Sequence, residues 1–577
     1  MMSTTISRSL APLVPFQLFP AKTVASHRPT CGEPVEPCHS VAARSHHSPQ
    51  IVGTALLAGV ALLASAGCAG RRAAAAAPGA EFRAFWVDQF HAGIRTPEEA
   101  AQLVADAQRA RVNALIVQVR GRADALYTRS FEPPREDPAY DPNFDALQNL
   151  LEAAHRAGLE VHAWVNAMPA WRDPAPPRDP RHVFNQHGPG QPGDADWMTR
   201  SPEGETRFLV GYFLDPGHPA AAAYLAEVYR NIVRNYAVDG IHFDYIRYPE
   251  TRERLPRGAP VGYNAVSLAR FRRFTGRQDT PAPDDPQWTA WRRQQVTQLV
   301  RRVFLEAKAV NPRLKVSAAV IAWGAPPAAE EDFDESAPMQ RIFQDWHGWL
   351  KEGILDLAVP MNYAREADPV RRGWFDGWLR WEKRHKHGRA LAIGVGAYLN
   401  PPAATLAQIQ RARQPEGKFR ADGVALYSYA VLSAPPAVGV AQGAEHASQP
   451  KPAAEDPAGS AAGGFLSRGA SPEPPAFPLE AALPKMSWIE RPTRGWLAGV
   501  VRDASGSGVD AAAVRLKRAG WFGRTRRTAA DGNGFFGFAD LPPGRYRIRL
   551  ESARGRSSER AVEVIAGRVA HVDLVHP

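Results

Sequence analysis

Cysteine is scarce in this chain of 577 residues, and the positions of the few cysteines limit the chemistry open to it. Cys31, Cys38 and Cys68 all precede the first segment with regular periodicity. The region beyond residue 80 therefore contains no disulfide and no thiolate metal site. The patterns H-x-x-E and H-E-x-x-H are missing as well, which excludes a zinc carboxypeptidase of the usual kind.

Recognition modules for nucleic acid are also missing, although the formal net charge is +11. That charge suits an anionic polymer or a membrane surface, but the arginines are scattered and neither a helix-turn-helix nor a zinc finger can be read, so we expect no nucleic-acid partner. The stretch "GPGQPG" has glycines at nucleotide-binding spacing, yet Pro189 and Pro192 remove two backbone donors and no strand precedes it. We expect no cofactor.

One apolar run stands near the start of the chain. The segment "IVGTALLAGVALLASAGC", residues 51–68, follows Arg44, His46 and His47 and ends in small residues, as a signal peptide does. Its end, "SAGC", resembles a bacterial lipobox in which Cys68 is lipidated, although Ser65 stands where Leu is usual. Residues 1–80 are thus predicted to be a leader, a lipoprotein signal and a short tether. A plain signal or a membrane helix is the alternative.

Eight β-rich runs alternate with helical stretches over residues 81–432. They read "FRAFWV", "ALIVQVR", "EVHAWVN", "GIHFDYI", "KVSAAVIAW", "DLAVPMNY", "ALAIGVGAY" and "GVALYSY". This alternation predicts a parallel sheet with crossover helices, and eight units fit an α/β fold of the (β/α)8 TIM-barrel type. An open doubly wound sheet is the alternative.

The composition changes twice after the eighth run. Residues 433–494 are rich in Pro, Ala and Gly and are predicted to be a flexible linker. Residues 495–577 contain short strands separated by Gly, Pro and Asp turns, which predicts a small all-β sandwich. The segments "GVVRDASGSGVDAAAVRL" and "ADGNGFFGFADLPPGRY" resemble carboxypeptidase regulatory-like, transthyretin-like domains.

The fourth run carries the strongest chemical signal. Strand alternation places His242 and Asp244 on one face and Ile241 and Phe243 on the other, which packs against helices. Asp244 then points into the mouth of the barrel, where active sites of this fold lie. Asp244 could instead only pair with Arg247 at the rim, while Asp239 before Gly is better explained as a turn residue.

The barrel region resembles the bacterial glycosyl hydrolase-like family 10. The segments that carry the resemblance are "FRAFWVDQF", "VQVRGRADALY", "VHAWVN", "LDPGHPA", "VDGIHFDYIRYP", "QDWHGWLKEGILDLAVPMNY" and "LYSYA". The family is distantly similar to the α-amylase clan, whose fourth strand reads D-G-x-R-x-D with the second Asp as nucleophile. Asp239, Gly240 and Asp244 match that spacing, and His242 replaces the Arg. The resemblance thus implies that Asp244 is catalytic.

A second carboxylate is needed, because glycosidases generally use a pair. The clan's proton donor is a Glu at the end of the fifth strand, where this chain has Trp323. Asp88 after the first strand is our first choice, although it could pair with Arg120 instead. Glu366 and the acidic loop 330–336 are the other candidates.

Polar and aromatic residues at the other strand ends are predicted to bind substrate, because aromatic rings pack on sugar faces and polar groups bond hydroxyls. They are Arg120, Asp124, Trp164, Asn166, His242, Arg247, Trp323, Asn362, Tyr363, Tyr398 and Tyr427. Trp171 and Trp197 in the long loop after the third strand are expected to extend the cleft.

Two functions remain open from the sequence. The first is a glycoside hydrolase of the bacterial cell envelope, held to the membrane by its lipid, that acts on a polysaccharide; what is implied by the resemblance favours peptidoglycan glycan strands. The second is a carbohydrate-binding envelope lipoprotein without catalysis, suggested by the missing Glu of the fifth strand.

Overall fold

A computed structural model describes residues 79–252, 255, 257–433, 476–520, 524–551 and 558–576. The predicted signal segment, Cys68 and the first part of the predicted linker lie outside the described residues. Within the described part of the chain, no helix is both long and apolar enough to span a bilayer.

A closed parallel barrel of eight strands forms the larger part of the structure, which confirms the predicted fold class. Its strands in chain order are β1 (Phe82–Val87), β2 (Ala114–Arg120), β3 (Glu160–Asn166), β7 (Gly240–Asp244), β8 (Lys315–Ile321), β9 (Leu357–Met361), β10 (Ala390–Gly396) and β11 (Gly423–Tyr427). Each strand pairs in parallel with its neighbour in this order, and β11 closes the ring against β1.

Helices cover the outside of the barrel. They are α1 (Pro97–Arg109), α2 (Ala146–Arg156), α3 (Val183–His187), α4 (Pro219–Asn235), α5 (Ala265–Thr275), α6 (Pro286–Val310), α7 (Ala337–Gln340), α8 (Trp346–Glu352), α9 (Pro369–Arg384), α10 (Pro402–Arg413) and α11 (Tyr429–Ser433). Several begin with a capping side chain followed by Pro, as at Thr96, Asp285 and Asp368, because such a residue satisfies free N–H groups of the first turn.

Strand alternation separates two layers of side chains. Ile241 and Phe243 of β7 face outward, and the ring centroid of Phe243 lies 4.7 Å from that of Tyr229 on α4. His242 faces inward, as the alternation predicts, where it contacts Trp86 and Ser317. Gly240 opens the strand because a Cβ there would lie 2.5 Å from the ring of His162.

The long connection between β3 and α4 folds over one side of the mouth of the barrel. It contains a small sheet of β4 (Pro169–Trp171), β5 (Arg207–Phe208) and β6 (Gly211–Phe213). Leu209 and Val210, in the turn between β5 and β6, border the cleft described below.

Residues 476–494, which we name the basal strap, pack across the opposite end of the barrel from the mouth. The Glu81 N–H donates to the Ala482 carbonyl over 2.9 Å, and Trp488 Nε1, in the short helix α12 (Ser487–Glu490), donates to Asp356 over 2.8 Å. Met486 and Ile489 join the apolar interior of the barrel. This last third of the predicted flexible linker is therefore part of the packed structure, because its few apolar side chains cover the end of the barrel opposite the mouth.

The C-terminal region is an all-β sandwich, as predicted. One sheet contains β12 (Gly495–Arg502), β15 (Phe535–Leu541), β18 (Val569–His571) and β19 (Leu574–Val575). The other contains β13 (Ala513–Arg518), β14 (Thr525–Ala529), β16 (Gly544–Glu551) and β17 (Glu559–Val564).

The sandwich rests on the outer helices of the barrel. Asp510 accepts two hydrogen bonds of 2.8 Å from Arg270 on α5, and the rings of Trp496 and Phe304 lie 5.9 Å apart. Asn533 donates to the carbonyl of Pro219 at the start of α4 over 2.9 Å. The contact thus combines an ion pair, a hydrogen bond and aromatic packing.

Candidate active site

A cleft of about 810 Å³ opens at the C-terminal mouth of the barrel. Side chains from the ends of β1, β3, β7 and β11 and from the loops after β8, β9 and β10 line it. It is the position at which barrels of this kind carry their active sites. Of the predicted substrate-binding residues, eight border the cleft: Trp164, Asn166, Arg247, Trp323, Asn362, Tyr363, Tyr398 and Tyr427.

Asp244 ends β7 and borders the cleft with only 6% of its surface exposed. The backbone N–H of Tyr245 donates to its Oδ1 over 2.6 Å, and Tyr245 itself has a φ of 48°, in the left-handed region that bulky residues rarely adopt. This turn of the backbone brings the N–H onto the carboxylate. Burial raises the pKa of Asp244, and the Arg247 charge and the Tyr245 N–H oppose that rise.

Arg247 contacts Asp244 from the loop that follows β7. Its Nη1 lies 3.4 Å from Asp244 Oδ1, and its guanidinium carbon lies 4.2 Å from the ring centroid of Tyr245 and 5.8 Å from that of Trp323. The pairing proposed as an alternative to catalysis is thus present. It does not remove Asp244 from the cleft, because both residues border it.

Asp88 lies just beyond β1 and also borders the cleft. It accepts hydrogen bonds from the Phe90 N–H over 3.0 Å and shares one with His91 Nδ1 over 2.7 Å. Hydrogen bonding to Asp88 raises the pKa of His91. Arg120, the alternative partner of Asp88, bonds instead to Glu132 and to the backbone carbonyls of Asn166 and Ala167.

Tyr427 at the end of β11 lies near both carboxylates. Burial raises its pKa well above the usual value for tyrosine, and the charges of Asp88 and Asp244 raise it further. Asp88 and Asp244 therefore both lie within electrostatic range of the same half-buried tyrosine.

Aromatic rings form much of the wall of the cleft. The rings of Tyr363 and Tyr427 lie 5.7 Å apart at an angle of 26°, and Trp164 and Tyr398 contact Tyr427 from two sides at 6.4 and 5.9 Å. Trp86, which the sequence reasoning missed, packs beneath Tyr363 and Tyr427. Its inward position in β1 was the available signal.

Three predicted substrate-binding residues lie outside the lining of the cleft, and this corrects the prediction. Arg120 is fully buried and forms two 2.8 Å bonds to Glu132, and Asp124 accepts from the Gly121 and Arg122 N–H groups. His242 is enclosed beneath the floor of the cleft, where it accepts a hydrogen bond from Trp86 Nε1 over 3.1 Å. These three polar groups have protein partners in place of substrate.

The other candidate carboxylates also lie outside the lining. Glu366 bonds to Arg411 over 2.7 Å, and the loop 330–336 lies on the flank of the barrel. Glu250 and Asp368, which were not predicted, do border the cleft. Glu250 could have been found because it directly follows the motif "DYIRYP", whereas Asp368 caps α9 with bonds to the N–H groups of Val370 and Arg371.

The two tryptophans expected to extend the cleft pack within the long loop instead. Trp171 Nε1 donates to the Ala175 carbonyl over 2.7 Å, and Trp197 stacks on His187 at 3.5 Å.

Asn362 borders the cleft and is held from behind by Glu382, to which its Nδ2 donates over 2.9 Å. Burial raises the pKa of Glu382 well above its usual value.

A closed parallel barrel of eight strands with carboxylates and aromatic rings at its C-terminal mouth places the protein in the class of (β/α)8 TIM barrels. The model of the Glycosyl hydrolase-like 10 family matches residues 81–397, more than half of the 577 residues, and the chain belongs to that family. The model of the carboxypeptidase regulatory-like domain matches residues 497–576.

Named relatives match the barrel region. Glycosyl hydrolase YngK of Bacillus subtilis is 25% identical over 321 residues, which cover 53% of this chain and 57% of the relative. Glycosyl hydrolase DigH of Escherichia coli K12 is 26% identical over 303 residues, which cover 47% of this chain and 60% of the relative. The chain thus spans about three fifths of the length of these relatives.

Among solved structures, the glycoside hydrolase domain of PgaB from Bordetella bronchiseptica aligns with a TM-score of 0.44 and 16% identity, over 61% of this chain and 95% of that one. The catalytic domain of the β-amylase of Paenibacillus polymyxa aligns with a TM-score of 0.45 and 12% identity, over 62% and 94%.

Proposed function

We propose that this protein hydrolyses glycosidic bonds of a polysaccharide, with Asp244 as the carboxylate at the reacting carbon. The observation that carries the proposal is the placement of Asp244: buried at the end of β7, bordering the cleft, and contacted by Arg247 and the Tyr245 N–H. A charge is costly to bury in such a place. It becomes useful when a positively charged, oxocarbenium-like transition state forms beside it.

Asp88 is proposed as the second carboxylate of the pair. It comes from a different strand, borders the same cleft and lies, like Asp244, within electrostatic range of Tyr427. Arg247 is proposed to position Asp244 and to favour its charged form, since a guanidinium beside a carboxyl lowers the carboxyl pKa. The aromatic wall offers flat apolar surfaces on which sugar rings pack.

Glycan strands of peptidoglycan are the proposed substrate. Arginines outnumber carboxylates in the lining of the cleft, which suits sugars that carry an acid group. Muramic acid exposes its carboxylate once the stem peptide has been removed, so strands without peptides fit the cleft best. The arginines are Arg122, Arg172, Arg247, Arg341, Arg365 and Arg371.

Digestion of purified glycan strands, with and without stem peptides, tests both the activity and the substrate. Mass analysis of the products should show cleavage by the parent protein, faster on strands without peptides, and none by Asp244→Asn. Asp141→Asn, an exposed aspartate outside the cleft, is the matched control and should cleave at the parent rate. Equal cleavage by parent and Asp244→Asn would refute the role of Asp244.

A non-catalytic carbohydrate-binding protein is the second candidate, favoured by Trp323 at the position where the clan's proton donor stands. Under this hypothesis the parent and the Asp244→Asn variant bind glycan strands equally and neither releases products. The same digestion, paired with a binding measurement on both proteins, separates the two functions.

We propose further that the protein is anchored at the bacterial cell envelope through a lipid on Cys68, as supported by the apolar segment 51–68 and its lipobox-like end. Cys68→Ala should release the protein from the membrane fraction of the producing cell, whereas Cys38→Ala should leave it there. Membrane association that is unchanged in Cys68→Ala would overturn the proposal.

A further inference from the structure

A cluster of two histidines and a glutamate lies on the flank of the barrel, away from the cleft. Glu330 is in the loop after β8, His347 is in the first turn of α8, and His387 is in the turn between α9 and β10. The Nε2 atoms of the two histidines lie 2.6 Å apart, and Glu330 Oε1 lies 3.5 Å from His347 Nε2 and 3.8 Å from His387 Nε2. Three distant segments of the chain thus bring ligand-type atoms together.

Aromatic packing holds His347 in place. Its ring lies 5.2 Å from both Phe333 and Trp381, and these two rings stack on each other at 5.0 Å. Trp381 Nε1 also donates to the Ala329 carbonyl over 3.3 Å, which fixes the backbone next to Glu330. The ring of His347 and the backbone beside Glu330 are therefore set by the fold before any ligand arrives.

The contact between the two histidines brings two nitrogen atoms that can ligate a metal within hydrogen-bond distance of each other. Two Nε2 atoms at 2.6 Å cannot both carry a proton, so at least one of them presents a lone pair toward the other ring and toward Glu330. Zinc bonds of about 2.0–2.2 Å in tetrahedral geometry separate the ligand atoms by roughly 3.3 Å. The two distances to Glu330 already approach this value, and the histidine pair must open by less than about 1 Å.

We propose that Glu330, His347 and His387 form a Zn²⁺ site with three protein ligands and one position open to solvent. Two imidazoles and one carboxylate suit zinc, whereas Mg²⁺ and Ca²⁺ prefer sets of oxygen ligands. Lys351 Nζ lies 3.1 Å from Glu330 Oε1 and competes for that carboxylate. Its side chain is 64% exposed, so it can move into water when the metal binds.

The site has a structural consequence for the cleft. The loop that carries Glu330 begins with Trp323 and Gly324, which border the cleft, and Trp378 Nε1 on α9 donates to the Gly324 carbonyl over 3.0 Å. A zinc ion bound by Glu330 and His387 would join this loop to the end of α9 a second time. The metal would therefore stabilise one wall of the cleft without entering it.

Zinc titration of the chelator-treated chain, produced without a histidine tag, tests the proposal. Calorimetry should show one Zn²⁺ per chain, Co²⁺ should give the visible absorption of a tetrahedral site, and zinc should raise the melting temperature. His387→Ala and Glu330→Gln should each weaken zinc binding at least 100-fold. His387 lies in a half-exposed turn, so its loss should leave folding intact, which circular dichroism verifies.

Two matched variants complete the experiment. His155→Ala removes a partly exposed histidine that pairs with Asp239 far from the cluster, and it should bind zinc as the parent does. Lys351→Ala should bind zinc as tightly as the parent or more tightly, because it removes the competing cation. Absence of zinc binding in the parent, or equal binding in His387→Ala and Glu330→Gln, would overturn the site.

Discussion

At the scale of single residues, Asp244 combines a cost to stability with a proposed catalytic use. The pKa of Asp244 is raised in the folded state. Between about pH 4, the pKa of an unfolded aspartate, and the folded pKa, the folded state therefore keeps a proton that the unfolded state has lost. Stability therefore falls as the pH rises through this window, and the whole cost is present once the pH exceeds the folded pKa. The carboxylate is retained at a position where the fold would be more stable without its charge.

Asp244→Asn should abolish turnover without weakening the fold. We expect hydrolysis to fall by several powers of ten, the scale seen when an essential catalytic group is removed. The melting temperature at pH 7 should stay constant or rise, because the buried charge is gone while the Tyr245 N–H keeps an oxygen acceptor. Turnover and melting temperature are measured on one sample. A lower melting temperature with turnover intact would mean that Asp244 only pairs with Arg247.

Arg247 offers a test of which form of Asp244 is active. Its charge opposes the rise of the Asp244 pKa, so Arg247→Gln should raise that pKa further. If the charged carboxylate is the active form, the acidic limb of the kcat/KM profile moves to higher pH, whereas Arg247→Lys keeps the charge and moves it less. A shift of the basic limb instead would show that Asp244 donates a proton.

At the scale of structural elements, the sequence predicted the eight barrel strands because their apolar runs are short, regularly spaced and separated by helical stretches. Alternation within β7 also placed Asp244 and His242 on the inner face. It did not predict that His242 lies below the floor of the cleft while Asp244 reaches the cleft. The depth of a side chain along the barrel axis depends on the stagger of neighbouring strands, which alternation does not give. Likewise, the Glu132 partner of Arg120 comes from an irregular loop.

The basal strap shows that composition alone does not decide whether a segment is flexible or packed. Its surroundings are rich in Pro, Ala and Gly, and this composition predicts a flexible chain, yet Phe477 is fully buried. Arg83 lies 4.5 Å from the ring centroid of Phe477 and donates to the Leu479 carbonyl over 2.7 Å. A few buried side chains, Phe477 and Met486 among them, and the bonds around them hold the segment, and they form no periodic pattern in the sequence.

Phe477→Ala should destabilise the barrel by about 3–5 kcal/mol, the usual cost of removing a buried aromatic side chain. Leu479→Ala is the matched control, because Leu479 is 45% exposed and lies two residues away in the same strap. Its effect should stay within about 0.5 kcal/mol. Denaturant unfolding measures both variants. Equal and negligible effects would show that the strap is not packed in solution.

At the scale of the whole molecule, Asp510 contributes an ion pair with Arg270 to the contact between the sandwich and the barrel. Burial raises the pKa of Asp510, but the hydrogen bonds and charge of Arg270 and the charge of Arg273 outweigh it, so that the pKa is lowered. A carboxyl with a lowered folded pKa contributes stability that is present above its unfolded pKa, about 4, and is lost as the pH falls through the folded value. The docking contact should therefore weaken in acid.

Asp510→Asn should loosen the sandwich from the barrel at neutral pH. It removes the charge that Arg270 and Arg273 share and leaves the buried guanidinium of Arg270 without its counter-charge, whereas Arg273 is exposed to water. The sandwich core built around Leu516, Phe536 and Ile548 is untouched. Calorimetry should show the single transition of the parent at pH 7 divide into two in Asp510→Asn, and the parent should divide in the same way below about pH 4. Asp503→Asn should unfold as the parent does, because this partly exposed aspartate of the same domain bonds to Ser505 and Ser507 within its own turn. A single transition in Asp510→Asn at an unchanged temperature would show that the other contacts hold the two parts together without this ion pair. Among those contacts are the packing of Trp496 on Phe304 and the bond from Asn533 to Pro219.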